Sequence, residues 1–96
     1  MLANRARGDA ALRIDGRSVT LRLTLGALAE LEAAFDCASI DDLAVRLKAG
    51  RAGDLLIVLS ALVHGGGGDG DVDALARADI DPVAAAQAIA KAFEGV

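Results

Sequence analysis

The chain has 96 residues, of which 54% are apolar and only 2% aromatic, and its net charge is −4. This length suits one small domain, and a core with two phenylalanines must be built from aliphatic side chains and alanine. The scarcity of rings and the negative charge argue against nucleic-acid binding, because bases would lack stacking partners and phosphates would be repelled.

Charge is distributed unevenly along the chain. Residues 1–25 carry five arginines and two aspartates, a balance of +3, whereas the remainder carries five bases and twelve acids, a balance of −7. Because the arginines do not cluster, internal pairing is favoured over a patch that steers a partner. Cys37 is the only cysteine, so no internal disulfide is possible. With no secretory leader or bilayer-spanning run, the sequence predicts a soluble cytoplasmic protein that does not contact a membrane.

The first predicted element is a β-hairpin over residues 9–24, which follows a flexible start at residues 1–8. Apolar and polar residues alternate on both sides of Asp15-Gly16, a strong signal for a two-residue turn. A lone hairpin is marginal in water, so its apolar face must cover helices or another chain. This turn sets the facing pairs as Leu12 with Val19, Ala10 with Leu21, Arg13 with Ser18, Ile14 with Arg17 and Asp9 with Arg22.

Three helices are predicted over residues 25–64. The first begins after the cap residue Thr24, and the second begins after Ser39 and stops at Gly50. In the second helix, the i,i+4 spacing predicts an ion pair between Asp42 and Arg46 on the solvent side. The buried stripe of the first helix is predicted to hold Leu25, Leu28, Leu31 and Phe35, and that of the second Ile40, Leu43, Ala44 and Leu47.

The third helix is apolar on every side after its predicted cap, Asp54, so we expect it to be buried at the centre of the fold. Residues 65–71 form a glycine-rich segment, and residues 72–96 are predicted to form the C-terminal helices. Asp81 caps the last of these, in which Pro82 occupies the first position. Its inward face is predicted to hold Val83, Ala86, Ala90 and Phe93. The predicted fold is a single α+β domain, mainly α, with an N-terminal β-hairpin packed on a small bundle of about five helices.

The stretch from His64 to Asp73, HGGGGDGDVD, matches parts of three functional motifs and departs from each. Its glycines follow a helix rather than a strand, and its aspartates would repel phosphate, which disfavours a nucleotide loop. A calcium loop would need glycine in place of Ala74 and glutamate in place of Ile80, and a lipase-type oxyanion motif would need a serine elbow. The sequence therefore predicts a protein that is not an enzyme and that holds no cofactor or metal.

Glycines can end a helix in the left-handed conformation, but four in a row exceed what a helix end requires. The surplus predicts a hinge at Gly65, Gly66, Gly67 and Gly68, which would let the C-terminal helices move when a partner docks. A hinge of this kind predicts that a shortened glycine run would leave folding nearly unchanged.

Two segments carry a resemblance to a known family: DAALRIDGRSVTLRLTLGALAELEAAFD, and GDLLIVLSALVHGGG after a short capped helix. The strand end Leu21-Arg22-Leu23-Thr24, the helix start Leu25-Gly26-Ala27-Leu28 and the apolar helix running into glycines are the matching features. In these the chain resembles the tail assembly chaperones of gene transfer agents and related siphophages, some of which are labelled tail tube proteins. The resemblance covers about the first two-thirds of the chain.

The resemblance implies a small cytoplasmic protein of the bacterial host cell that binds the tail tape-measure protein and helps tail tube protein assemble around it. Homo-oligomers are left open, as are two other functions: a structural tail tube or tail-terminator subunit, and a general helical interaction module. An apolar helical partner would need apolar contacts. The candidate contact residues are Leu56, Leu59, Leu62, Val63, Ile89 and Phe93, and the alternative is that these side chains form the core.

Overall fold

The computed structural model describes residues 9–94, apart from the side chain of Ile40. The predicted flexible start at residues 1–8 and the last two residues of the predicted C-terminal helices lie outside this range. The described residues confirm an α+β fold, mainly α, in which a hairpin precedes five helices. The elements are β1 (Ala10–Ile14), β2 (Arg17–Leu21), α1 (Leu25–Phe35), α2 (Ile40–Lys48), α3 (Ala52–Gly65), α4 (Val72–Arg77) and α5 (Pro82–Phe93).

The hairpin has the predicted register, with all five strand pairs as expected from the turn. Asp15 and Gly16 have φ angles of 52° and 80°, as a two-residue hairpin turn of the primed type requires. Just beyond the strands, Arg22 donates two hydrogen bonds to Asp9, at 2.9 and 2.8 Å. The hydrogen bond to Asp9, and then the negative charge of Asp9, raise the pKa of the Arg22 guanidinium above its ordinary value.

Helix α3 occupies the centre of the fold, as its uniformly apolar sequence predicts. It packs against α1, α4, α5 and β2, while α5 packs mainly against β1. The residues of α3 from Val58 to Val63 are buried, and the inner side of the hairpin contributes Ala10, Leu12 and Leu21 to the same core. The hairpin is therefore stabilised by the two helices that it covers.

The helix starts agree with the sequence except at α3. Thr24, Ser39 and Asp81 each accept a hydrogen bond from a backbone N–H of the first turn, as predicted. The predicted cap Asp54 is instead the third residue of α3, where it is 8% exposed and accepts a hydrogen bond from Arg46 at 3.2 Å. Arg46 therefore pairs with Asp54 across two helices, and the predicted pair with Asp42 is wrong.

Two of the predicted buried stripes are also corrected. In α1, the first-turn residue Leu25 is 82% exposed, and the smaller Ala27 is buried with Leu31 and Phe35. In α2, Leu43 is buried and Leu47 half-buried, but Ala44 is exposed. Helix α1 packs against α3, and the predicted stripe, which followed the spacing of the large apolar residues, left out the small but buried Ala27.

Helix α5 faces the core with a side other than the predicted one. Ala88, Ile89 and Ala92 are buried, whereas Val83 is 64% exposed and Ala86 and Ala90 are exposed. Alanines lie on both sides of this helix, so apolar periodicity gives little contrast between them. Helix α5 packs against β1 and α3 with Ile89 buried, so its orientation depends on tertiary packing.

Candidate functional site

An open apolar groove lies between α3, α4, the link of residues 78–81 and α5. It encloses about 250 Å³ and is lined by aliphatic side chains, alanines and Pro82. No charged or aromatic residue lines it. Its largest wall residues are Leu55, Leu56 and Leu59 of α3, Leu75 of α4, Ile80 of the link and Ile89 of α5.

Local periodicity explains how each wall is formed. In α3, the three- and four-residue spacing of Leu55, Leu56 and Leu59 places them on one helix face. The link between α4 and α5 is extended, as shown by the ψ angles of 157° at Ala78 and 120° at Asp81. Alternate residues of an extended segment point the same way, so Ala78, Ile80 and Pro82 all line the groove.

The intervening aspartates of this link have structural contacts away from the groove. Asp79 accepts a hydrogen bond from the backbone N–H of Asp15 at 3.0 Å, and its own N–H donates to Asp15 Oδ1 at 2.7 Å. Asp81 caps α5 by accepting from the N–H of Val83. The link is thereby fixed to the hairpin turn at one point and to α5 at the next.

The glycine run ends α3 in a Schellman motif. Gly67 has a φ of 91°, its N–H donates to the carbonyl of His64, and the N–H of Gly68 donates to the carbonyl of Val63. This geometry confirms the predicted left-handed stop. The helix end is also tied to the first helix, because His64 Nδ1 lies 3.2 Å from both carboxylate oxygens of Glu30.

Gly65 and Gly66 have a second role that the sequence did not predict. A Cβ added to Gly65 would lie 2.0 Å from the carbonyl oxygen of Arg22, and one added to Gly66 would lie 2.1 Å from that of Thr20. The end of α3 therefore lies directly against β2, at a distance that only glycine permits. The hinge at residues 65–68 stays a prediction, and movement at its first two positions would break this contact.

The other polar residues of this region contribute to folding. Asp71 caps α4 by accepting a hydrogen bond from the N–H of Ala74 at 2.8 Å, and the buried Ser60 donates to the carbonyl of Gly70 at 2.7 Å. Cys37 is half-buried, and its Sγ lies 3.7 Å from the carbonyl oxygen of Phe35. Among residues 9–94, no group of three or more histidine, cysteine, aspartate or glutamate side chains is placed to hold a metal ion.

The six predicted contact residues fall into two groups. Leu56, Leu59 and Ile89 line the groove, with Leu59 and Ile89 forming its buried floor at 3% and 7% exposure. Leu62 and Val63 are buried in the core, and Phe93 is half-buried against it. The core alternative therefore describes most of the set. A role in partner binding stays a prediction, and only the three residues that line the groove lie at an open surface.

Sequence reasoning missed the part of the groove formed by α4 and the link. These residues, Leu75, Ala76, Ala78, Ile80 and Pro82, lie in short segments with weak helical periodicity. The alternation of apolar residues with aspartates from Ala78 to Pro82 is the signal that could have indicated an extended segment with one apolar side.

The described residues form a small, mainly helical α+β protein with an open apolar groove on its surface. A comparison with protein families matches residues 7–95 to the family described as "Phage tail tube protein, GTA-gp10". The chain belongs to this family of phage and gene transfer agent tail proteins, which implies interaction with other tail proteins. Comparisons with curated proteins and with solved structures give no match.

None of the helices within residues 9–94 combines the length and the apolarity needed to cross a membrane.

Proposed function

We propose that the protein is a non-enzymatic tail assembly chaperone, which binds the tail tape-measure protein and assists assembly of the tail tube around it. The observation that carries this proposal is the apolar groove between α3, α4 and α5. A site lined by no polar or titratable side chain is suited to holding apolar side chains and supplies no side chain for acid, base or nucleophilic catalysis.

The shape of the groove favours a helical partner. It is open to solvent, and its walls are three helices and an extended link, so an amphipathic helix could place its apolar residues between them. The lining side chains are all aliphatic, and they fit Leu, Ile, Val or Ala of a partner. A tape-measure helix would be shielded from aggregation while its apolar stripe lies in this groove.

Ala76 provides a direct test of the groove. It is an exposed residue of α4 that lines the groove, so Ala76→Glu places a carboxylate in the binding surface without altering the core. Burying this charge under an apolar partner should lower the affinity for tape-measure protein about tenfold or more. The measurement is co-expression with the tape-measure protein, pull-down, and titration of the purified complex.

Ala74→Glu is the matched control, because Ala74 is an exposed alanine of the same helix that does not line the groove. Both variants should keep the circular dichroism spectrum and melting temperature of the wild type. Equal binding by the two variants would contradict docking in the groove. If the wild type neither binds the tape-measure protein nor increases its solubility, the chaperone function itself is wrong.

The second candidate is a structural tail tube or tail-terminator subunit. It is favoured by the family description and by an open strand edge on β1, since subunits of a tube must associate with one another. Quantitative mass spectrometry and electron microscopy of purified particles separate the two functions. A tube subunit would be present in many copies, whereas an assembly chaperone would be missing from the finished particle.

A further inference from the structure

The register of the hairpin determines which backbone groups point outward. In a hairpin with a two-residue turn, the pair next to the turn and every second pair after it bond to each other. Ile14 with Arg17, Leu12 with Val19 and Ala10 with Leu21 are these inward-bonded pairs. The N–H and C=O groups of Ala11 and Arg13 therefore point outward from β1, and those of Ser18 and Thr20 point outward from β2.

The outer edge of β2 is closed by α3 at Thr20 and at Arg22. Arg22, which continues β2, donates its N–H to the carbonyl of Leu62 at 3.0 Å. Gly65 and Gly66 lie against the carbonyl oxygens of Arg22 and Thr20, with no space for a Cβ. No additional strand can pair here without moving the end of α3.

The outer edge of β1 is closed only next to the turn, where Asp15 and Asp79 exchange two hydrogen bonds. Further along, Ala11 and Arg13 are exposed, and within residues 9–94 their outward N–H and C=O groups have no hydrogen-bond partner. Two donors and two acceptors are thus presented in the alternating order that pairs with an extended backbone.

The helices contact the two strands unequally. Of the two strands, β2 is contacted mainly by α3 and β1 mainly by α5. The end of α3 therefore covers part of the β2 edge and does not cover the β1 edge at Ala11 and Arg13.

The charge at this edge indicates the chemistry of the occupant. Arg13 lies on the outer face, where its guanidinium donates to the carbonyl of Gly16 at 3.2 Å. The neighbouring Arg22 already pairs with Asp9, and no carboxylate of the described residues forms an ion pair with Arg13. An incoming strand with an aspartate or glutamate opposite Arg13 would supply the missing negative charge.

We propose that β1 is an edge for β-augmentation, which binds an extended segment of another tail protein with an acidic side chain opposite Arg13 as a third strand. This site is separate from the groove, and it rests on the proposed function only in taking its partner from among the tail proteins. Main-chain hydrogen bonds to Ala11 and Arg13 would provide affinity, and Arg13 would select for acidic segments.

Ala11→Pro tests the edge directly. Proline removes the outward N–H of Ala11 and fits an edge position whose N–H is not used inside the sheet. The matched control is Ala11→Val, which keeps the N–H and favours an extended backbone. Co-expressed tail tube and tape-measure proteins are the probes. We expect Ala11→Pro to lower recovery of the edge-bound protein about tenfold, and Ala11→Val to bind like the wild type.

Two further measurements keep the test decisive if Ala11→Pro folds poorly. Hydrogen exchange at the amides of Ala11 and Arg13 should slow at least tenfold in the wild-type complex, and Arg13→Glu should weaken binding more than Arg13→Lys. Unchanged exchange in the complex would overturn the proposal. Slow exchange in the isolated chain would also overturn it, because the chain's own residues would then cover the edge. Protection that rises with protein concentration would overturn it as well, because a second copy would then occupy the edge.

These experiments can contradict the edge proposal and the groove proposal independently of each other. If Ala11→Pro binds normally while Ala76→Glu does not, the edge proposal is wrong and the groove function stands. The opposite pattern supports the edge and contradicts docking in the groove. Failure of the wild-type chain to bind either tail protein would overturn both.

Discussion

At the scale of single residues, the glycine run shows how similar residues in one segment come to have different roles. Gly67 has the left-handed φ that ends α3, whereas Gly65 and Gly66 are required for contact with β2. The first role follows from local rules of helix termination and could be predicted. The second depends on which strand crosses the helix end, so no local pattern contains it.

Substituting Gly65 or Gly66 by alanine should therefore destabilise the fold. The new Cβ would lie about 2 Å from a backbone oxygen of β2, which forces a backbone shift and should lower the free energy of unfolding by about 2–3 kcal/mol. Urea denaturation followed by circular dichroism measures the change. Gly53→Ala is the control, because this position in α3 has open space for a Cβ.

The control, Gly53→Ala, is expected to raise the free energy of unfolding. Alanine in place of glycine within a helix raises stability by roughly 0.5–1 kcal/mol. If Gly65→Ala and Gly66→Ala are as stable as Gly53→Ala, the close contact with β2 is wrong and a mobile glycine segment becomes the better description.

At the scale of secondary-structure elements, the sequence predicted what is determined locally. The hairpin register follows from Asp15-Gly16 and the alternation around it, and three of the four predicted caps hold. The orientation of α5 was wrong because alanines on both sides give no contrast. Helical spacing predicted that Arg46 pairs with Asp42. In the structure Arg46 pairs instead with Asp54 of α3, a carboxylate that is largely shielded from solvent.

Arg46 links α2 to the rest of the fold. Its Nε donates to Asp54 at 3.2 Å, and its guanidinium carbon lies 4.8 Å from the centre of the Phe35 ring. Arg46→Ala leaves the nearly buried Asp54 without this partner, so we expect the free energy of unfolding to fall by about 1–2 kcal/mol. A double-mutant cycle with Asp54→Ala measures the coupling.

Asp42→Asn is the comparison for this prediction, because Asp42 is the partner suggested by the sequence alone. Within residues 9–94 it forms no ion pair with Arg46, so Asp42→Asn should change stability by no more than about 0.5 kcal/mol, mainly through the helix dipole. A larger effect for Asp42→Asn than for Asp54→Ala would support the i,i+4 pair and contradict the link between α2 and α3.

At the scale of the whole molecule, residues distant in sequence complete both the fold and the candidate site. Sequence reasoning named Leu56, Leu59 and Ile89 because helical periodicity marked them as apolar, but the wall around Ile80 depends on the link after α4. That link is positioned by the hairpin turn, 64 residues earlier, through the bonds between Asp15 and Asp79. This wall of the groove is therefore tied to a turn that is distant in the sequence.

This dependence predicts that one side chain in the turn stabilises the distant groove. Asp15→Gly keeps the left-handed turn but removes the Oδ1 that accepts from the N–H of Asp79, so the free energy of unfolding should fall by about 1 kcal/mol. Asp15→Asn keeps both the oxygen and the turn preference, and should resemble the wild type. In Asp15→Gly, hydrogen exchange at Ile80 should increase while α1 is unaffected; equal exchange in the two variants would mean that the link is held by its apolar contacts alone.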